Sequence, residues 1–115
     1  MGRTPTADTS ASVLLGTLDL LVLRVLKREA LHGWGIADRI SQHSGQALSI
    51  GEGSLYPALY RLEARGWVVS EWGQSENNRR AKYYRLTRAG RKRLDVEQAS
   101  WDRAAAAIAG VLRHA

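Results

Sequence analysis

The chain has 115 residues, a formal charge of +6 and no cysteine. That length suits one domain, and the absence of thiols excludes a disulfide frame and thiolate metal sites, which fits a reducing compartment such as the cytoplasm. Residues 73–93 hold eight bases, Arg79, Arg80, Lys82, Arg85, Arg88, Arg91, Lys92 and Arg93, against one acid, Glu76; the segment carries +7 and the rest of the chain sums to −1. Such a concentration is the footprint of a polyanion binder, weighed against a merely solvated face.

Residues 1–12 are small and polar, lack the apolar stretch of a signal peptide, and are expected to form a disordered leader. The apolar run Val13–Leu26 is broken by Asp19 and Arg24 and is too short to span a bilayer. Leu14, Leu18, Leu21, Val22 and Val25 recur at helical spacing, which predicts a first helix over 14–28. Leu20, Leu23 and Leu26 make it apolar on other sides as well, so it is expected to be covered on more than one side.

His32-Gly33 reads as a break. Trp34, Ile36, Ala37 and Ile40 then predict a short second helix ending near Ser44, with Gly45 as its C-terminal cap. Ser49 followed by Glu52 has the spacing of a capping box. It opens a third helix over about 50–65, with Leu55, Leu59 and Leu62 on one face and Gly66 as its stop. Pro57 falls inside this helix and predicts a kink, unless the helix starts nearer Ser54.

Trp67, Val68, Val69 and Trp72 are strand formers, and Lys82–Leu86 reads as a second strand with Tyr84 and Leu86 on one face. The polar stretch between them makes a hairpin with a basic tip. Thr87 is the expected N-cap of a fourth helix reaching about Leu112. Leu94, Trp101, Ala105, Ile108 and Leu112 form its apolar stripe. At 1.5 Å per residue the helix is about 37 Å long, more than so small a domain can cover.

The expected fold is mainly α with a small β-hairpin: a winged helix-turn-helix plus a long C-terminal dimerisation helix. The winged domain is placed at residues 13–87 and the dimerisation helix at 88–115. In such a fold the third helix enters the major groove of DNA, which is about 12 Å wide. Its outward face offers Ser54, Tyr56, Pro57, Tyr60, Arg61 and Arg65, whose hydroxyls and guanidinium groups can meet base edges or phosphates. At the hairpin tip Arg79, Arg80 and Lys82 are the expected backbone or minor-groove contacts, because the planar arginine fork binds phosphate bidentately.

Linked segments carry a resemblance over about residues 14–95. They are Leu15-Gly16-Thr17-Leu18-Asp19-Leu20-Leu21, then His32-Gly33-Trp34-Gly35-Ile36, then Gly53-Ser54-Leu55-Tyr56-Pro57-Ala58-Leu59 with Arg61-Leu62-Glu63. Glu71-Trp72 and Arg80-Ala81-Lys82-Tyr83-Tyr84-Arg85-Leu86-Thr87 complete the set. In this order the chain resembles the PadR-like bacterial transcription regulators, departing at Trp34, where tyrosine is common. The resemblance implies a winged-helix homodimer, usually a repressor, and a homodimer of this kind is expected to bind a pseudo-palindromic operator. It matches Ser54, Tyr56, Pro57 and Arg61 to recognition-helix positions and Arg79, Arg80 and Lys82 to the wing. It implies pairing through the C-terminal helix, here the single helix of the short branch, with help from the first helix. Some relatives bind small hydrophobic or aromatic effectors near that interface, where Trp101 would be the stacking contact; packing between subunits is the preferred role for Trp101.

Other readings fit less well. His32, His43 and His114 are scattered without metal-ligand spacing, and Gly51 and Gly53 lack the lysine and preceding strand of a phosphate loop, so neither an enzyme nor a metal or cofactor is expected. A winged helix that only binds protein is the alternative, but it has little reason to concentrate +7 on one segment. RNA binding is disfavoured because Tyr83 is the only obvious stacking aromatic on the hairpin.

Overall fold

The computed structural model describes residues 17–115. The expected leader and the expected helix start at Leu14 lie outside these residues. The first helix, α1 (Thr17–Leu26), closes with a tight turn in which Lys27 N–H donates to the Arg24 carbonyl. A two-residue strand, β1 (Leu31–His32), precedes α2 (Gly33–His43), where the sequence showed only a break. Next come α3 (Glu52–Ala64), β2 (Val68–Gln74), β3 (Arg80–Leu86) and α4 (Arg88–His114). The fold is the expected winged helix-turn-helix with a long C-terminal helix, and its sheet has three antiparallel strands in the order β1-β3-β2.

Local signals account for most of the boundaries. Gly66, at φ +76°, ends α3: Gly66 N–H donates to the Glu63 carbonyl and Trp67 N–H to that of Leu62, the double closure of a Schellman cap. Gly45, at φ +61°, ends α2 in the same way through the Gln42 and Ser41 carbonyls. Thr87 caps α4 by accepting from Gly90 N–H at 3.0 Å. Ser49 does not stand at the cap position. The N-cap of α3 is Gly51, with no side-chain cap, so Glu52 is the first helical residue rather than the third. There its charge suits the helix dipole. The helix continues through Pro57, which cannot donate to the Gly53 carbonyl one turn back.

The core joins all the layers. Val22, Leu23 and Leu26 of α1 meet Ile36 and Ile40 of α2 and Leu55, Leu59 and Leu62 of α3. Val68, Tyr84 and Leu86 close it from the sheet, and Leu94 closes it from α4. Two expectations are corrected here. Trp34, expected on the inner side of the second helix, is 69 % exposed, because it occupies the first turn where the helix leaves β1. Leu94, expected on the pairing stripe, is 2 % exposed, buried in the chain's own core. Beyond it, Trp101, Ile108, Val111 and Leu112 are exposed and no residue of α4 is buried.

The joint between α4 and the domain is close. Thr87 Oγ1 donates to the Gly66 carbonyl at 2.7 Å, and Thr87 N–H to that of Trp67 at 3.1 Å. Trp67 also carries the guanidinium groups of Arg65 and Arg93 over its ring, at 5.3 and 4.8 Å from its centroid. Among the described residues no helix is long and apolar enough to cross a membrane.

Candidate nucleic-acid interface

One side of α3 faces outward because the other is spent on Leu55, Ala58, Leu59 and Leu62. Helical spacing then sets Tyr56, Pro57, Tyr60 and Arg61 toward solvent, with Ser54 half-buried. Tyr56 leans on the start of α2: a Cβ on Gly33 would lie 2.5 Å from its hydroxyl. Only glycine leaves room for that approach. Arg61 is not free. Its Nη2 lies 2.9 Å from Asp19 Oδ1 of α1, so the guanidinium is held in place while over half of the side chain stays exposed. This partner, 42 residues earlier, has no signature in the sequence.

The wing is the β2–β3 hairpin, with Trp72 opposite Lys82 and Gln74 opposite Arg80. Its tip turns through a hydrogen bond from Asn78 N–H to the Ser75 carbonyl at 2.9 Å, and Asn78 takes the left-handed conformation at φ 60°, which asparagine tolerates. Tyr83 steadies the strands on the opposite face: it lies across Gly73 and donates its hydroxyl hydrogen to the Gln74 carbonyl at 2.9 Å.

Alternation along the strands explains why the basic residues face α3. Val68 of β2 and Tyr84 and Leu86 of β3 point into the core, so Trp72, Lys82 and Arg80 continue that face beyond the core's edge. Arg80 stacks its guanidinium over Trp72, 4.5 Å from the ring centroid, and Lys82 lies 6.0 Å from the ring centroid of Tyr84. Burial, then the nearby Glu63 and Tyr56, pushes the Tyr84 phenol above its ordinary range, so it stays neutral.

These residues meet around an open groove of about 920 Å³. The start of α2 and Tyr56 form one wall; Trp72, Arg79, Arg80 and Lys82 form the other. Of the expected DNA contacts, Tyr56, Arg79, Arg80 and Lys82 line this groove, whereas Ser54, Pro57, Tyr60 and Arg61 continue along α3 outside it. Sequence reasoning missed His32, Trp34, Trp72 and Glu76 as groove residues. The signal that could have found His32 and Trp34 is the histidine directly before a helix of the pattern Gly-Trp-Gly, an N-cap position. Among the described residues no group of His, Asp and Glu gathers in a way that could hold a metal ion.

Chemically the groove offers three cations, aromatic edges and hydroxyls on one concave side, an arrangement suited to a strand of phosphates beside readable bases.

Comparison with known proteins agrees with this geometry. Residues 22–96 match the Transcriptional regulator PadR-like family. The chain is 33% identical over 84 residues to a transcriptional regulator of Mycobacterium tuberculosis, covering 73% of this chain and 75% of that protein. Among solved structures, a transcriptional regulator from Clostridium thermocellum superposes with a TM-score of 0.77 at 28% identity, covering 86% of this chain and 96% of that one. A PadR family transcriptional regulator from Eggerthella lenta gives 0.73 at 32% identity, covering 87% and 85%. With its winged helix-turn-helix and single C-terminal helix, the chain belongs to the PadR-like family of transcriptional regulators.

Proposed function

We propose that the protein regulates transcription by binding double-stranded DNA as a homodimer. Each α3 lies in the major groove and each wing rests on the flanking backbone or minor groove. The observation that carries this reading is the groove that Tyr56 of α3 shares with the three wing cations, from which the rest of the exposed α3 face continues. In it, Ser54, Tyr56, Tyr60 and Arg61 meet base edges or nearby phosphates and Pro57 packs against the backbone. Arg79, Arg80 and Lys82 neutralise phosphates. Asp19 leaves Arg61 further N–H donors for DNA, because a guanidinium has five in a fixed fork.

The second copy is called for by α4. Trp101, Ala105, Ile108 and Leu112 lie on the same helical stripe as Leu94, and that stripe lacks a cover among the described residues once it passes the core. Residues 13–87 then serve as the DNA-binding unit and 88–115 as the pairing helix, which would set the two α3 helices about 34–36 Å apart on a pseudo-palindromic site. Occupying such a site in the cytoplasm would repress the adjoining gene. Trp101 is read as a packing residue of the pair; a flat hydrophobic effector would stack there.

Fluorescence-anisotropy titration tests the reading, using DNA from upstream of the protein's own gene beside a scrambled duplex, over salt concentrations around 0.15 M. Tight binding to the native duplex alone is the expected result. Failure to bind either duplex at low salt would favour a winged helix that recognises protein.

A further inference from the structure

Glu76 is the only acid in the basic segment, and its carboxylate meets the His32 ring: Oε1 lies 3.4 Å from Nε2. The other ring nitrogen, Nδ1, accepts from Gly35 N–H at 3.0 Å as the N-cap of α2. An accepting Nδ1 carries no proton, so in the neutral ring the proton sits on Nε2, the nitrogen that faces Glu76. The ring is held against Tyr83 and Trp34, with centroids 5.2 and 6.3 Å away, which fixes the donor's direction. The two partners differ in freedom. The His32 side chain is 13% exposed and fixed on three sides; that of Glu76 is 67% exposed on a hairpin tip. The donor is built in and the acceptor is replaceable.

Arg79, Arg80 and Lys82 line the same groove, so a carboxylate oxygen there occupies the kind of place a phosphate oxygen would take. A hydrogen bond with its own backbone, and after it the His32 ring, hold the Glu76 carboxyl below its ordinary range.

We propose that Glu76 is a resident anion which latches the wing tip to His32 and is displaced by a DNA phosphate, with His32 then donating to that phosphate. The inference rests on the DNA-binding reading above and deepens it. A tip that must release Glu76 before accepting a phosphate gives up part of its electrostatic affinity on every sequence. The latch therefore tunes binding strength and leaves the choice of bases to α3.

A double-mutant cycle tests it, with anisotropy measured on the native and scrambled duplexes. His32→Asn keeps a side-chain acceptor for the N-cap and removes Nε2. Glu76→Gln is expected to tighten binding to both duplexes about fivefold beside His32, a coupling within the range for groups in contact, and by less than about twofold beside His32→Asn. Equal gains on both backgrounds would make Glu76 a diffuse surface charge and overturn the latch; so would no gain at all. A second measurement does not depend on His32→Asn folding. Nitrogen NMR of the imidazole is expected to report the Nε2–H tautomer in the free protein, with an Nε2 signal that moves on Glu76→Gln and again when DNA is added to the wild type. An Nε2 signal indifferent to Glu76 would overturn the proposal. If the wild type binds neither duplex, the DNA reading falls and the latch with it; if it binds but shows no coupling, only the latch falls.

Discussion

Replacing Gly90 with alanine tests whether α4 is held by the joint at its first turn. An added Cβ would lie 1.9 Å from the Trp67 carbonyl oxygen and 2.9 Å from its carbon. Ordinary carbon–oxygen contact is about 3.3 Å or more, so α4 must retreat from the Trp67 carbonyl by about 1.4 Å. Three hydrogen bonds span that gap or depend on it: Gly90 N–H to Thr87 Oγ1, Thr87 Oγ1–H to the Gly66 carbonyl, and Thr87 N–H to that of Trp67. At about 1 kcal/mol each, their loss costs about 3 kcal/mol. The higher helix propensity of alanine returns about 1 kcal/mol, leaving a net loss of about 2 kcal/mol. For a chain of this size that lowers Tm by about 10 °C.

Gly110→Ala supplies the control on the same helix. Nothing lies within 4 Å of its Cβ position, and it falls on the side of α4 opposite the Trp101–Leu112 stripe. Only the propensity gain of about 1 kcal/mol remains, and Tm is expected to rise by about 5 °C. The assay is thermal unfolding followed by circular dichroism at one protein concentration, because pairing would otherwise shift Tm. Gly90→Ala melting within about 2 °C of the wild type would refute the account of the joint.

Removing both Arg79 and Arg80 is expected to weaken binding to native and random duplexes alike and to flatten the plot of log affinity against log salt by about 2, one unit for each phosphate no longer neutralised; an unchanged slope takes the wing out of the interface. Tyr56→Phe or Arg61→Ala should instead lower the ratio of specific to random binding, by about 1–3 kcal/mol where a base edge goes unread, which competition titration measures. Ile108→Asp with Leu112→Asp puts charge on the uncovered stripe of α4 and should leave a folded monomer by light scattering at micromolar concentration; a persisting dimer would mean that pairing uses another surface. Trp72→Ala removes the ring beneath Arg80 and is expected to weaken binding about threefold, in line with an exposed cation–π contact.

Elements set by near neighbours along the chain were legible without coordinates. Thr87 caps α4, Gly45 and Gly66 end α2 and α3, and Leu55, Leu59 and Leu62 turn inward. Each depends on contacts within about one helical turn, where residue type and spacing carry the information. The capping-box spacing misplaced the start of α3, because Gly51 takes the cap position in extended backbone and starts the helix two residues later than Ser49 would. Trp34 and Leu94 misled for a related reason. Hydrophobic periodicity marks a face but not what covers it, and the end of β1 and the core beneath α4 decide that.

The sequence by itself determined the order of the four helices and the two wing strands, the basic wing, and an apolar α4 stripe longer than the domain can bury. These follow from local periodicity and from where the charges fall. Only the tertiary structure decided which distant residues meet. Asp19 grips Arg61 across 42 positions, Tyr56 packs on Gly33, β1 pairs with β3, and the lone acid of the wing comes to rest on the histidine that caps α2. Such pairs have no spacing to read, because closing a long loop is determined by the packing of the whole core rather than by either partner.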